Sequence, residues 1–223
     1  QDELGSALRQ MTLSLRQNKK DTDEQNWIKD GVSRLSQALS GNISLTELSQ
    51  TAISFLARYT NSAQGALYIY DEKEEILNLY GSFAFTERNN LSNKFKKGEG
   101  IIGQVALEGN PILLKNIHRQ DLSISTGTIN EPPLNSYCLP LVFENELYGV
   151  YELSSFEIFT DLKKDFLNQA SLRVVTYLYS VMQTEKIRGL LSVSEAATLN
   201  AQTRAHEIEE VNSQLEEQRK QLE

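Results

Sequence analysis

Apolar positions in the last third of the chain recur at spacings that alternate between three and four residues, the a/d pattern of a coiled coil. No proline interrupts the stretch from residue 160 to residue 223. The pattern therefore predicts one long helix that pairs with a second copy in a parallel dimer and continues into a larger parent protein. Two rows of positions carry it: Ile187, Ser194, Ala201, Ile208, Leu215 and Leu222, and Leu190, Ala197, Arg204, Val211 and Gln218.

A second apolar row occupies the beginning of the chain. Its members are Leu4, Leu8, Met11 and Leu15, spaced by four, three and four residues. The row resumes after Thr22 at Ile28, Val32, Leu35 and Leu39, one residue out of strict register. This offset predicts either a local adjustment of the supercoil or a break near residues 21–23.

Between the two predicted terminal helices, shorter patterns predict one α+β domain, called the body below. Ser44 and Glu47 have the spacing of a capping box at the start of an amphipathic helix, and residues 100–108 form a short helix that ends at Gly109. Runs 66–70 and 76–80 flank a turn and predict a hairpin, as do runs 137–143 and 147–153. Residues 111–114 add one more strand.

Hairpins join antiparallel neighbours, so we expect an antiparallel sheet flanked by helices. The predicted organisation is an N-terminal helix over 1–43, the body over 44–182 and a coiled-coil helix over 183–223.

Composition and charge narrow the function. A net charge of −8 argues against a nucleic-acid or membrane-surface role, because phosphate groups attract basic faces. No apolar run approaches the roughly 20 residues that span a bilayer. Cys138 is the only cysteine and has apolar neighbours, so we expect a buried thiol in a cytoplasmic segment.

Two motifs in the body resemble the GAF domain family. The run GEGIIGQVA over 98–106, followed by GNPIL over 109–113, is similar to the central signature of that family. The runs SYCLPL over 136–141 and LYGVYEL over 147–153 resemble its closing hairpin. The resemblance implies a GAF fold and a sensory role. The glycines at 98, 100, 103 and 149 are interpreted as architectural, because a dinucleotide site would need a parallel βαβ unit.

A shorter resemblance lies at residues 2–5, DELG, which are similar to the start of the last helix of a HAMP linker. Together with the carboxyl-terminal coil, it implies a segment of a sensor histidine kinase in a two-component system. We therefore expect a covalently linked HAMP or membrane region upstream and an output domain downstream.

Catalytic chemistry is not predicted for this segment. His206-Glu207 lacks the arginine and proline that follow the phosphoacceptor histidine of histidine kinases, and no ATP motif follows. His118 has no Cys or His at metal-ligand spacing. Some GAF domains reduce methionine sulfoxide, but a lone Cys138 provides no resolving thiol. We expect no metal and no cofactor.

A small-ligand pocket is the remaining hypothesis, because GAF domains often enclose a ligand between the sheet and covering loops. Residues 116–135 show no regular apolar spacing and are predicted to be a lid. Glu152 is predicted to face the same cavity as this loop, with an outward, solvated carboxylate as the alternative. The candidate ligand-binding residues are Tyr68, Tyr70, Phe83, Phe85, Ser125, Thr126, Thr128, Tyr137, Tyr151 and Glu152.

Two functions fit these patterns. The first is a sensory relay, modulated by a small ligand, that passes a conformational signal through a parallel homodimer to the output domain. The second is a passive dimerisation spacer without a ligand. Retention of a small molecule on purification distinguishes the two.

Overall fold

The structure of the chain, a computed structural model, describes residues 2–41, 43–84, 93–117, 124–125 and 130–221. It divides into two units, Gln1–Tyr179 and Ser180–Glu223, and the fourth helix contributes to both. The described helices are α1 (Asp2–Leu39), α2 (Leu45–Thr60), α3 (Gly100–Glu108) and α4 (Asp161–Gln221). The described strands are β1 (Gln64–Asp71), β2 (Ile76–Phe83), β3 (Lys94–Lys96), β4 (Ile112–Lys115), β5 (Ile124–Ser125), β6 (Asn130–Glu131), β7 (Asn135–Phe143) and β8 (Glu146–Ser155).

A six-stranded antiparallel sheet forms the centre of the first unit, in the order β3-β2-β1-β8-β7-β4. Both predicted hairpins are confirmed. The β7–β8 hairpin turns through Glu144 and Asn145, which have positive φ angles of 49° and 69°. Two successive positive φ angles are typical of the tight turns whose twist matches that of a hairpin. The predicted α+β fold with flanking helices is therefore confirmed.

Helix α2 begins at the predicted capping box. The Glu47 backbone N–H donates to Ser44 Oγ at 3.2 Å, and the Ser44 N–H donates to Glu47 Oε2 at 2.9 Å. These two bonds satisfy amide groups that have no partner within the helix. The same contact with the Ser44 backbone lowers the pKa of the Glu47 carboxyl.

The two faces of the sheet carry different helices. On one face, α2 approaches so closely that a Cβ on Gly81 would lie 2.6 Å from the Ser49 backbone. The same face contacts α4, because Tyr151 Oη donates to the Leu167 carbonyl at 3.2 Å. On the other face lies α3, packed against strand residues such as Tyr68. We call these the α2/α4 face and the α3 face.

Helix α1 is continuous through residues 21–23, so the predicted alternative of a break there is wrong. The Thr22 hydroxyl bonds the Asn18 carbonyl at 2.8 Å, within the helix. Apolar residues in its second half are buried against the rest of the first unit rather than exposed to a partner: Ile28, Leu35 and Leu39. The second half of α1 therefore contributes to the core of the first unit.

Close packing of α1 depends on Gly31. A Cβ at this position would lie 2.4 Å from Tyr59 and 2.6 Å from Phe166. The Trp27 ring stacks on Tyr59 with centroids 4.7 Å apart. Three helices thus share one aromatic cluster of Trp27, Tyr59 and Phe166, defined here as the helix cluster.

Two of the predicted architectural glycines show why no side chain fits. A Cβ at Gly149 would lie 2.3 Å from the Tyr68 carbonyl oxygen on the neighbouring strand. A Cβ at Gly103 would lie 2.2 Å from the Lys96 carbonyl oxygen. Real Cβ atoms do not approach a carbonyl oxygen so closely, so these glycines serve packing.

Two short strands lie within residues 116–135, where the sequence predicts none. Strands β5 and β6 pair in antiparallel fashion, with Ile124 opposite Glu131 and Ser125 opposite Asn130. Ile124 is buried. The prediction of a segment without strands is therefore wrong, because a two-residue pairing is too short to produce a visible alternation.

The second unit consists of α4 from residue 180 onward, within which every described side chain except those of residues 181–183 is exposed. Five predicted coiled-coil residues are between 54% and 63% exposed: Ile187, Leu190, Ile208, Val211 and Leu215. The N-terminal residues Leu8, Met11 and Leu15 are similarly exposed. The Leu4 side chain and Leu222 lie outside the described part. Across the described residues, no helix combines the length and apolar character needed to cross a membrane.

Candidate functional site

An apolar cluster covers the α3 face at the middle of the sheet. Ile102, Val105 and Ala106 of α3 pack against strand residues, of which Tyr68 and Val150 are buried. Phe95 meets the Tyr68 ring edge to face, with centroids 5.3 Å apart. Tyr70 lies at the margin of the cluster, where Lys97 Nζ stands 5.6 Å from its ring centroid.

One carboxylate lies within this apolar surrounding. Glu152 is in β8, directly opposite Ala66 of β1 and Cys138 of β7. Both partners belong to the apolar cluster. Directly opposed residues have Cβ atoms about 4.5–5.5 Å apart, so these two neighbours contact the Glu152 side chain. Glu152 therefore faces α3, as strand alternation relative to Tyr151 predicts.

A short chain of hydroxyl groups reaches the carboxylate. Ser136 Oγ donates a hydrogen bond to Glu152 Oε1. Ser154 Oγ in turn donates to Ser136 Oγ at 3.2 Å. Both serines are buried. Among the described residues, Ser136 is the hydrogen-bond donor to Glu152.

Burial raises the pKa of the Glu152 carboxyl, although the hydrogen bond from Ser136 acts in the opposite direction. The side chain as a whole is only half-buried, whereas its carboxyl is surrounded by protein atoms. The position of the charged group decides its ionisation, so we follow the second observation. Desolvation also raises the pKa of the Tyr68 hydroxyl and of the Cys138 thiol, and the negative charge of Glu152 adds to both shifts.

The predicted aromatic walls do not all share this face. Tyr151 points to α4, where its hydroxyl lies 2.8 Å from Ser171 Oγ. Tyr137 packs on Phe159 with ring centroids 5.7 Å apart, and Phe83 lies beneath the Arg58 guanidinium of α2 at 5.5 Å. A single pocket lined by Tyr68, Tyr70, Phe83, Tyr137 and Tyr151 is therefore wrong, because the sheet separates the last three from the first two.

Three predicted residues lie outside the described residues: Phe85, Thr126 and Thr128. Of Ser125, only the backbone pairing with Asn130 is described. Whether this loop shares a cavity with Glu152 stays a prediction.

Sequence reasoning missed Ser136 and Ser154. The signal that could have found them is register: β7 and β8 form one hairpin, and alternate residues from Glu152 lead to Ser154 and, across the hairpin, to Ser136. Cys138 was predicted to be a buried thiol, and it is fully buried.

A separate, open groove runs along α1, away from the sheet face just described. It is lined by Arg16, Lys19, Lys20, Asp23, Glu24, Trp27 and Leu162. Three basic residues, Arg16, Lys19 and Lys20, are followed by two acidic ones, Asp23 and Glu24, so the groove carries charges of both signs. In the described part of the chain, no three His, Cys, Asp or Glu side chains come together as metal ligands.

Comparison with known proteins agrees with this architecture. A family model described as "GAF domain" matches residues 42–180. The chain therefore belongs to the GAF domain family. GAF domains are signalling and sensory modules, mostly regulatory and ligand-binding.

Solved structures show the same fold at low identity. The GAF domain of a phosphoenolpyruvate-protein phosphotransferase from Coxiella burnetii is 16% identical with a TM-score of 0.59, covering 71% of this chain and 96% of that one. The nlh2 GAF domain of A. aeolicus, in an inactive state, is 19% identical with a TM-score of 0.54, covering 70% and 98%. A free methionine-R-sulfoxide reductase from Neisseria meningitidis, in complex with its substrate, is 13% identical with a TM-score of 0.55, covering 70% and 91%.

Among curated proteins, nitrogen fixation protein AnfA from Azotobacter vinelandii is 20% identical over 119 residues. The match covers 52% of this chain and 22% of that protein. The chain thus spans about a fifth of the length of this relative.

Proposed function

We propose that the chain is a sensory relay segment of a signalling protein. In this proposal a small ligand binds on the α3 face at Glu152, and the bound state is passed to α4 and from there to an output domain. The support is a buried carboxylate in an apolar surrounding with a single described donor. Burying a carboxylate in this way costs free energy, so its presence indicates a functional site.

The observation that supports signal transmission to α4 is the position of two consecutive residues in β8. Glu152 faces the proposed ligand site, whereas Tyr151 faces α4. The Tyr151 hydroxyl bonds both the Leu167 carbonyl at 3.2 Å and the Ser171 hydroxyl at 2.8 Å. A shift of β8 that adjusts Glu152 to a ligand therefore also moves a residue that is bonded to α4.

A second connection lies at the tip of the same hairpin. The Tyr179 ring of α4 is 5.1 Å from Phe143 of β7 and 5.7 Å from Tyr148 of β8, measured between centroids. We call these three rings the hairpin joint. It touches α4 at the last residue of the first unit.

The proposal includes a parallel homodimer formed through the exposed apolar rows of α4 and of the first half of α1. Exposed rows of this length and spacing are favourable in water only when a partner covers them. A cytoplasmic location, an upstream HAMP linker and a histidine kinase parent also belong to the proposal. The resemblance of residues 2–5 supports the linker and the parent, and the single cysteine supports the location.

We propose a regulatory rather than catalytic role. His206 is exposed on α4, and the single thiol, Cys138, is buried with a raised pKa, which makes it a poor nucleophile. The similarity to a methionine-sulfoxide reductase extends to the fold alone.

The test is the retention of a small molecule. The full chain is purified gently from its natural source and then denatured, and the released molecules are identified by mass spectrometry. We expect one compound in stoichiometric amount from wild type and from Glu74→Gln, a turn variant, and its loss from Glu152→Gln. A wild-type chain that releases nothing would leave the passive spacer as the function.

A further inference from the structure

Helix α1 contacts α4 at two levels within the first unit. At the first level, the Trp27 ring of α1 meets the Phe166 ring of α4 edge to face, with centroids 5.4 Å apart. At the second level, Tyr177 Oη of α4 donates a hydrogen bond to the Ser36 carbonyl of α1 at 3.3 Å. The second contact lies further along both helices in the same direction. The two helices therefore run parallel and are joined at two points.

The first of these contacts leaves no free space between the helices. A Cβ on Gly31 of α1 would lie 2.6 Å from the Phe166 ring, which is fully buried. The Tyr59 ring of α2 is 4.7 Å from that of Phe166, and its hydroxyl donates to the Trp27 carbonyl at 2.7 Å. Close-packed interiors transmit displacement. A shift of α1 by about 1–2 Å, the size of helix shifts in switching proteins, therefore moves Phe166 and α4 as well.

The first half of α1 lies outside this packing. Every described side chain from residue 6 to residue 23 is exposed. Leu8, Met11 and Leu15 belong to the N-terminal apolar row, which the second copy covers in the proposed dimer, and they are 58%, 61% and 58% exposed in the single chain. Helix α1 is continuous from this row to the helix cluster. Because each turn of a helix is hydrogen-bonded to the next, a movement of the row is passed along the axis to the cluster.

The sheet contacts α4 through other residues. Tyr151 bonds the Leu167 carbonyl and the Ser171 hydroxyl, and the hairpin joint contacts α4 at Tyr179. The helix cluster shares no residue with these contacts. Helix α4 is thus connected separately to the sheet and to α1.

We propose that α1 is a second input to α4, independent of any ligand. A change in the pairing of the first halves of the two α1 helices is passed along α1 to the helix cluster and from there directly to α4, without passing through the sheet. This inference rests on the parallel homodimer proposed above and not on the proposed ligand site. Helix α4 then combines two signals, one from the sheet and one from α1.

A disulfide between the two α1 helices supplies this input experimentally. Met11→Cys places a thiol in the apolar row, where a parallel pair of helices brings the two copies of one position together. Cys138 is buried with a raised pKa, so oxidised glutathione reacts with the introduced thiol instead. We expect disulfide-linked dimers from Met11→Cys. Leu13→Cys is the matched control and is expected to stay reduced, because Leu13 is 64% exposed but lies outside the row.

Two measurements compare the oxidised with the reduced Met11→Cys chain, at a concentration at which both are dimers. Trp27 is the only tryptophan of the chain, and we expect its fluorescence emission to shift on oxidation. Hydrogen–deuterium exchange is expected to show changed protection in α4 beyond Tyr179.

Two further substitutions, each added to Met11→Cys, identify the route. Tyr151→Phe removes the hydroxyl bonds between the sheet and α4 and is expected to retain the change in α4, whereas Phe166→Leu is expected to lose it. Since the disulfide holds the dimer in both variants, dimerisation alone does not produce this difference. If Phe166→Leu loses its fold, Tyr177→Phe replaces it. This variant removes the hydrogen bond to Ser36 and is expected to weaken the change in α4.

Three results overturn the inference while the ligand-sensing function stands: an α4 that does not respond to the disulfide, a response that the α1–α4 contact variant leaves unchanged, and a response that Tyr151→Phe abolishes. Failure of the disulfide to form at position 11 also overturns it. If the reduced chain is then monomeric, the proposed dimer fails as well.

Discussion

Glu152 is the residue on which the functional account depends. It stands in a central strand between two apolar neighbours, and burial raises its pKa. Two exposed carboxyl groups show the opposite shift: hydrogen bonds lower the pKa of Glu157 and of Asp161. Glu152 is thus a carboxyl group that the fold holds at an energetic cost when it is charged.

That cost predicts a pH dependence of stability. The folded-state pKa of Glu152 lies above the ordinary value of 4.5. Ionisation of Glu152 therefore lowers the free energy of unfolding of the protein as the pH rises from 4.5 through the raised pKa. Glu152→Gln removes the charge and keeps the acceptor for Ser136. We expect the variant to gain stability relative to wild type as the pH rises towards neutrality, measured by urea unfolding between about pH 5 and pH 8.

The difference between variants matters here, because the contributions of exposed carboxyl groups cancel in it. Glu74→Gln serves as the control and should show no trend. A stability difference between wild type and Glu152→Gln that stays constant or shrinks towards neutral pH would contradict the burial of this charge.

Part of this site could be predicted from the sequence. Alternation along β8 places Glu152 and Tyr151 on opposite faces of the sheet, although the sequence-based prediction assigned both residues to one pocket. The assignment of Phe83 and Tyr137 to the same wall as Tyr68 is wrong, because it requires the register between strands. A register shift at Leu67/Tyr68 in the pairing of β1 with β2 changes which residues of β2 share a face, and single-strand periodicity does not show such a shift.

Among the elements, two short helices and both hairpins were predicted well, whereas the short strands β3, β5 and β6 were not predicted. Helix α3, α2 with its capping box and both hairpins follow from local signals such as Gly109, whose positive φ of 66° ends α3. The long helix α1 was harder, since the same apolar spacing describes a rod for a partner and a helix on a core. The burial of Leu35 and Leu39 against the first unit is a tertiary property.

The packing of α1 makes a prediction for two helical glycines. Gly31→Ala places a methyl group 2.4 Å from Tyr59, so the helix cluster must shift, and we expect a loss of about 1–3 kcal/mol in unfolding free energy. Gly189→Ala in α4 meets nothing within 4 Å and should increase helix stability by about 0.5–1 kcal/mol. Urea unfolding and helical circular dichroism measure the two changes. Equal effects would show that α1 is not packed as described.

A different prediction concerns the middle of α4. Four consecutive a/d positions there carry Ser194, Ala197, Ala201 and Arg204, whose side chains bury little apolar area in a dimer. We expect this stretch to be soft, so that two arrangements of the paired helices are close in free energy. Replacing Ser194 and Ala201 by Leu, and Arg204 by Ile, should raise Tm.

In the parent protein the same triple variant should lock the output in one state. If the stiffened protein responds to its stimulus as wild type does, the softness of these positions has no part in signalling.

For the whole molecule, the exposed apolar rows predict assembly. Ile208 and Val211 are 61% and 54% exposed in the single chain and fall in the a/d rows. The double variant Ile208→Glu and Val211→Glu should therefore dissociate the dimer, as measured by light scattering. Leu199→Glu is the matched control, because Leu199 is 64% exposed but lies outside both rows.

Two results would contradict this assembly: a wild-type chain that is monomeric, or a double variant that remains as tightly dimeric as wild type. Removing residues 1–43 and the residues after 183 is expected to leave a largely monomeric body, but this truncation also takes Leu35 and Leu39 out of the core, so substitutions in α4 test the assembly more directly.

The central claim is that a molecule bound at Glu152 changes α4. The most direct measurement is hydrogen–deuterium exchange of wild type carrying the molecule retained from its source, compared with the same chain after that molecule is removed. We expect changed protection in β8 and also in α4 amides beyond Tyr179. In Tyr179→Ala, which disrupts the hairpin joint, the change in β8 should persist and the change in α4 should be lost. A change confined to residues 64–155 in wild type, or no change at all, would contradict the account.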